Sequence, residues 1–173
     1  MEGLQLLCDV LLSDGMVTNA GYTRAPEQMV DLFIANGDFS YSAAFTQPRL
    51  TSGAFTICLA SLYKQYSGRE LKRTVYGKPG LEYHQYAETM LRDISASHSD
   101  STTPEHIKTV YMIGDNPKSD IQGANAAGEH WYSILVRTGL FKGENDDTHP
   151  AKHVSDNVYD AIAFILKREG IHS

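Results

Sequence analysis

Between Thr109 and Gly128 the chain reads T-V-Y-M-I-G-D-N-P-K-S-D-I-Q-G-A-N-A-A-G, and this stretch limits the fold more tightly than any other. Thr109–Ile113 is a short apolar run rich in β-formers, the pattern of a buried strand in a parallel sheet. Gly114 ends the run and lets the backbone turn. Asp115 then stands at the strand's C-terminal end, the edge at which open α/β sheets bind ligands. Asn116, Pro117, Lys118 and Ser119 are loop residues. A helix is predicted from about Asp120 to just before Gly128, which reads as its C′ glycine. Gly123, Ala124, Ala126 and Ala127 are small enough to let that helix lie close to the sheet.

The loop carries two carboxylates, Asp115 and Asp120, five residues apart. Mg²⁺ is commonly held by one or two carboxylates together with waters and a substrate phosphate. The plainer reading stays beside it: Asp120 as a helix N-cap and Asp115 as a turn residue. Upstream, Arg73–Tyr76 reads as a short strand delivering Gly77-Lys78-Pro79, which precedes a helix carrying Tyr83, Tyr86, Ala87, Met90 and Leu91. A lysine at a strand end can reach a phosphoryl group or a carboxylate as a point charge. The alternative is a solvated surface lysine.

The remaining elements follow from periodicity. Leu4, Leu7, Cys8 and Leu11 form an amphipathic helix stopped near Gly15, and residues 13–27 are turn-rich. Val30–Ala35 is predicted as a strand ending at Asn36-Gly37-Asp38, where Asn36 and Asp38 either build the turn or face a substrate. Phe55, Cys58, Leu59, Leu62, Tyr63 and Tyr66 make a helical stripe, capped by Thr51 or Ser52 and stopped by Gly68. That stripe reads as core, and Gly53 near its start would let backbone N–H groups approach an anion. Ser95–Pro104 reads as a surface loop. Trp131–Val136 is the next strand, and Leu140–His153 a long loop with an acidic tip. His149 and His153 have helical spacing, but Pro150 between them spoils a metal pair. Val158, Ala161, Ile162, Ile165 and Leu166 close the chain as an amphipathic helix, with Ser155 and Asp156 as caps. The second half thus alternates strand and helix, a parallel α/β arrangement.

Gly114-Asp115-Asn116-Pro117-Lys118-Ser119-Asp120-Ile121 resembles the fourth motif of the haloacid-dehalogenase-like (HAD) hydrolases, and Gly77-Lys78-Pro79 resembles their third. Leu32–Asn36, Gly68–Leu71 and Tyr76–Pro79 are similar to class IIA, the branch with a large α/β cap, in its cat eye syndrome critical region subfamily. The resemblance runs from about Leu4 to about Leu166. It implies an incomplete Rossmann-like core, with residues 1–72 the C-terminal part of the cap and residues 73–173 the C-terminal half of the core. It also implies Mg²⁺ held by Asp115 and Asp120, Lys78 as the catalytic lysine that neutralises phosphoryl charge, and Lys78 and Asn116 toward a phosphorylated small molecule. Family members more often have proline where Gly37 stands.

The family reacts through an aspartyl-phosphate formed at a D-x-D loop. No two aspartates here are separated by one residue, and Asp14-Gly15 follows a helix rather than a strand. The first two motifs are expected N-terminal to residue 1. The chain is therefore expected to be a fragment, inactive alone and exposing a sheet edge through which it self-associates. Two alternatives are a non-catalytic phosphate-binding or interaction module and a flavodoxin- or receiver-like domain. The resemblance suggests a mitochondrial or cytoplasmic setting and glycerophospholipid metabolism.

The totals fit a soluble globular chain, with 42% hydrophobic and 21% charged residues among 173. A net charge of −6 argues against general nucleic-acid binding, which needs a basic face. Cys8 and Cys58 do not make a disulfide framework and read as reduced core residues. No run is long enough to span a bilayer, and Met1-Glu2-Gly3 has no signal or transit character.

Overall fold

The computed structural model describes residues 2–15, 23–98 and 107–171. Their contacts divide the chain into two compact units. The first comprises Met1–Ser40 with Arg49–Tyr76, the second Tyr41–Pro48 with Gly77–Ser173.

The first unit contains helix α1 (Glu2–Leu11), strand β1 (Phe33–Ile34), helix α2 (Ser52–Ser67) and strand β4 (Thr74–Val75). Strands β2 (Ser40–Tyr41) and β3 (Arg49–Leu50) are short. Its core is Cys8, Leu11, Leu12, Leu59, Tyr63 and Leu71. Helix α2 begins where the Thr51 hydroxyl accepts the Ser52 N–H. It ends at Gly68, whose φ of 73° is the left-handed conformation that glycine adopts freely, with its N–H on the Lys64 carbonyl.

Three expectations change in this unit. The strand read over Val30–Ala35 is two residues long and pairs in parallel with β4, Phe33 opposite Thr74 and Ile34 opposite Val75. The strand read over Arg73–Tyr76 is likewise two residues long, Thr74–Val75, and among the described residues it pairs with β1. The α2 stripe is only partly core: Leu59 and Tyr63 are buried, whereas Phe55, Leu62, Tyr66 and Cys58 are exposed. A helix buries the residues that face its partner, and the apolar stripe of α2 is wider than the strip its neighbours cover.

Gly53 is explained by packing. A Cβ there would lie 2.3 Å from the Gly37 carbonyl oxygen and 2.4 Å from that of Asp38. Its N–H donates to the Asp38 carbonyl at 3.0 Å, so it is spent on the chain rather than presented to an anion. Asn36 builds the turn: its side-chain oxygen accepts the Asp38 N–H at 2.8 Å.

The second unit runs α3 (Leu81–His98), β5 (Val110–Gly114), a π-type turn (Pro117–Ile121), α4 (Gln122–Ala127), β6 (Trp131–Val136), β7 (His153–Ser155) and α5 (Val158–Arg168). The sheet order is β5-β6-β7 and both pairings are parallel, from Val110 opposite Trp131 through Gly114 opposite Leu135, then Ile134 opposite His153 through Val136 opposite Ser155. Central β6 is buried on both faces. Ile134 and Val136 pack on Ala161, Phe164 and Ile165, and Leu135 on Ile121 and Ala151. Ser133 is fully enclosed but satisfied: its hydroxyl donates to Asn125 Oδ1 at 2.8 Å and accepts the Lys152 N–H at 3.1 Å.

Here too the structure amends the reading. Strand β7 lies in the stretch taken for loop and cap, and the cap of α5 is Asn157, whose side chain accepts the Asp160 N–H. Three residues are too few to show a period, and β7 exists because β6 offers an edge. Helix α3 continues through His98 where a loop was expected from Ser95, and residues 99–106 lie outside the described residues. The inward face of α3 is also different. His84 is fully buried and Ala87 packs on the Trp131 cluster, while Tyr83, Tyr86, Met90 and Leu91 are exposed. In α5, Ala161 is enclosed but Val158 and Ile162 are exposed. Gly128 ends α4 at φ 130°, ψ 171°, outside the left-handed helical region. Among the described residues no helix is long and apolar enough to cross a membrane.

Candidate active site

The C-terminal end of β5 feeds a tight turn. The Asn116 carbonyl accepts the N–H groups of Ser119, Asp120 and Ile121 at 3.3, 2.9 and 3.4 Å. Such single π-type turns are frequent at functional sites. Asn116 caps this turn, its side-chain oxygen accepting the Lys118 N–H at 3.1 Å. The turn folds the Asp120 carboxylate back over the strand end. A Cβ on Gly114 would lie 2.3 Å from Asp120 Cγ, so the carboxylate occupies the space that any other residue at 114 would fill.

Asp120 is 3% exposed, and both its oxygens are engaged. Oδ2 accepts the Asn116 N–H at 3.0 Å, and Oδ1 lies 2.5 Å from Lys78 Nζ. The lysine side chain is 31% exposed and the Asp120 side chain 4%, so the pair joins a partly exposed cation to a buried carboxylate. Lys78 sits in the Gly77–Gly80 turn, closed by the Gly80 N–H on the Gly77 carbonyl at 2.8 Å. Two stretches 42 residues apart thus meet in one ion pair.

Asp115 is held from another direction. Its Oδ2 accepts the Leu140 N–H at 2.7 Å, and its backbone carbonyl accepts the Phe141 N–H at 3.2 Å. A Cβ on Gly139 would fall 1.8 Å from Asp115 Oδ2. The loop after β6 therefore seats this carboxylate, and Gly139 is glycine because the carboxylate lies against it.

The donor set fits a hard cation in part. Asp115 has one oxygen taken by a backbone N–H and one remaining. Asp120 has both oxygens taken, which suits a ligand acting through water. Among the described residues no cluster of three or more His, Cys, Asp or Glu side chains is arranged for a metal. One or two carboxylates with water and phosphate completing the shell is the usual magnesium arrangement.

Lys78, Asp115, Asn116 and Asp120 were all singled out from the sequence. Gly114, Gly139 and Leu140 were not singled out as part of the site. Gly139 carried a faint signal, a glycine just beyond the end of a buried strand. Leu140 contributes only its backbone, which no residue type announces.

Residues 75–161, just over half of the chain, match the family model for HAD-hydrolase-like proteins. The chain belongs to the HAD-like hydrolases. Over 138 residues, 80% of this chain, it is 41% identical to a cardiolipin synthase (CMP-forming)/mitochondrial hydrolase fusion protein of Schizosaccharomyces pombe. It is 28% identical, over 95% of its length, to a mitochondrial hydrolase of Saccharomyces cerevisiae. The chain spans 22% of the first relative and 51% of the second. In fold it is similar to a 4-nitrophenylphosphatase from Thermotoga maritima (TM-score 0.55, 19% identity, 94% of this chain and 49% of that one). It is also similar to a p-nitrophenyl phosphatase from Archaeoglobus fulgidus (TM-score 0.52, 21% identity, 78% of this chain and 46% of that one). The HAD core is accordingly present in part.

Proposed function

We propose that this HAD-like chain is the C-terminal portion of a Mg²⁺-dependent phosphohydrolase, and that it carries the charge-handling half of the site without the nucleophile. The observation that supports this most is the ion pair between Lys78 and the buried Asp120, at the sheet edge where Asp115 also emerges. Lys78 would orient and neutralise the phosphoryl group from its place beside Asp120. Asp115 would contact the cation directly, and Asp120 would hold both Lys78 and a metal-bound water. Asn116 keeps the turn in place and offers its amide toward substrate. Magnesium, when bound, would supply positive charge that polarises the phosphoryl oxygens.

The chain contains no D-x-D. Asp115 and Asp120 are assigned to cation and lysine, and neither is placed to attack. Residues 1–72 are read as the end of a class IIA cap and 73–173 as the second half of the core. Because β5 pairs only with β6 among the described residues, its other edge is the place for an added strand or for self-association. The names of both yeast relatives include a mitochondrial hydrolase, and one is joined to a cardiolipin synthase. On that basis a mitochondrial setting and a phosphorylated substrate from glycerophospholipid metabolism are proposed.

The test is a Mg²⁺-dependent assay with a generic aryl phosphate, run on this chain and on one extended upstream through a D-x-D strand end. Activity is expected only with the extension, and should vanish when its first aspartate becomes asparagine. Full activity in the 173-residue chain, abolished by Asp115→Asn, would sink the proposal. An inactive extended chain that still binds phosphate and Mg²⁺ would favour a non-catalytic phosphate-binding module.

A further inference from the structure

His84 lies in the first turn of α3 and is completely enclosed. Its ring stands edge-on to the Trp131 indole, centroids 4.8 Å apart. A Cβ on Gly123 would fall 2.4 Å from the ring's Cε1, 2.9 Å from its Nε2 and 3.2 Å from Pro79 Cα. The imidazole, the Lys78-Pro79 backbone and helix α4 therefore meet at one point. Nδ1 is 3.0 Å from the Gly80 carbonyl oxygen. A carbonyl only accepts, so Nδ1 carries the proton and Nε2 is the acceptor. Nε2 is buried with no partner among the described residues. A residue that merely filled this space would do better as leucine or phenylalanine, with no ring nitrogen to desolvate.

What the ring secures is the turn that carries Lys78. The Gly80 N–H closes that turn on Gly77, and the Gly80 carbonyl is pinned by His84. The opposite edge of the ring rests on Gly123, in the helix that follows Asp120. We propose that His84 is a positioning residue: it holds the Gly77–Gly80 turn against helix α4 and so fixes the Lys78 ammonium on Asp120, where the phosphoryl group would bind. The inference rests on the reading of Lys78 and Asp120 as the charge-handling part of the site. His84 itself touches no reacting atom.

Two measurements on the full chain test it. Long-range ¹H–¹⁵N correlation of labelled histidine reports the tautomer without mutation. The Nδ1–H form is expected, and the Nε2–H form would overturn the proposal. The second measurement follows the Lys78 ammonium cross-peak, assigned by its loss in Lys78→Arg. It should be visible in the unmutated chain, lost in His84→Leu, and restored in His84→Asn, whose amide replaces the Nδ1–H donor. Ile134→Val, a core change in β6, should leave it in place. A peak that survives His84→Leu, or one that His84→Asn does not restore, makes His84 a packing residue and overturns the proposal. If His84→Leu does not fold, His84→Asn against His84→Gln decides, because the longer amide reaches the Nε2 position and should lose the peak. Neither readout needs Mg²⁺ or phosphate. A chain that passes both and responds to neither ligand would refute the functional reading and leave this one standing.

Discussion

Gly139→Ala is the sharpest single perturbation of the site. The added Cβ would lie 1.8 Å from Asp115 Oδ2, 2.3 Å from its Cγ and 2.6 Å from its Cβ. Non-bonded heavy atoms are comfortable at about 3.5–4.0 Å, so carboxylate and loop must separate by roughly 1.5 Å or more. Gly139 does not have a positive φ in the left-handed range, so alanine adds no backbone strain of its own and the effect is steric. The separation breaks the 2.7 Å hydrogen bond from the Leu140 N–H to Asp115. Hydrogen bonds to a charged group contribute about 1.5–3 kcal/mol, and overpacking costs typically about 1–3 kcal/mol. A loss of about 2.5–6 kcal/mol of unfolding free energy is therefore expected in urea denaturation. Displacing a site group by about 1 Å can lower turnover by roughly 10²-fold, so an active extended chain carrying the change should fall by at least that much. In the 173-residue chain the readout is the Asp115 NMR signal during Mg²⁺ titration, whose response should weaken. Gly3→Ala serves as the control: among the described residues nothing lies within 4 Å of a Cβ there, and alanine in the first turn of α1 should leave stability unchanged or slightly raised. If Gly139→Ala keeps both stability and the Mg²⁺ response, the loop does not seat Asp115 and the geometric argument fails.

Gly53→Ala should destabilise the first unit by at least about 1–3 kcal/mol, because the carbonyls its Cβ would strike are backbone and cannot swing away; thermal unfolding measures it. Glu88 accepts from Trp131 Nε1 at 2.6 Å and from His130 Nε2 at 2.5 Å. Burial pushes its carboxyl up, but those donors and the Arg92 charge outweigh burial and hold it below the usual range. Its contribution to stability is thus present above the unfolded carboxylate value and is lost as pH falls through the lower folded one. Glu88→Ala should leave the Trp131 N–H without its partner, costing about 1–3 kcal/mol at neutral pH, and should flatten the acid limb of stability against pH. His153 stacks on Phe164 with centroids 3.6 Å apart, and burial lowers its pKa. The folded state therefore binds its proton less readily: stability is full above the ordinary histidine value and falls as pH drops through the folded one. His153→Phe should remove that dependence, and an unchanged pH profile would refute it.

The fourth-motif loop was legible because it combines three local signals: an apolar run, a glycine and a helix of small residues. Each of these is set by neighbours in sequence, so a strand over Thr109–Ile113, within one residue of the observed Val110–Gly114, and the candidates Asp115 and Asp120 could be named from the sequence. The same holds for α2, bounded by Thr51 and Gly68, and for the Trp131–Val136 strand. What local pattern could not give was which side of a helix meets a partner. The aromatic residues of α3 look like its core face, yet His84 and Glu88 point inward, because Gly80, Trp131 and His130 supply hydrogen bonds there. Strand β7 was invisible for a related reason: three residues become a strand only when β6 lends an edge. The pairing of Lys78 with Asp120, the seating of Asp115 by Leu140, and the need for glycine at 114, 123 and 139 all join segments distant in sequence or folded back on themselves. Residue identity fixed which groups could carry charge, and only the tertiary fold decided which charges share a site.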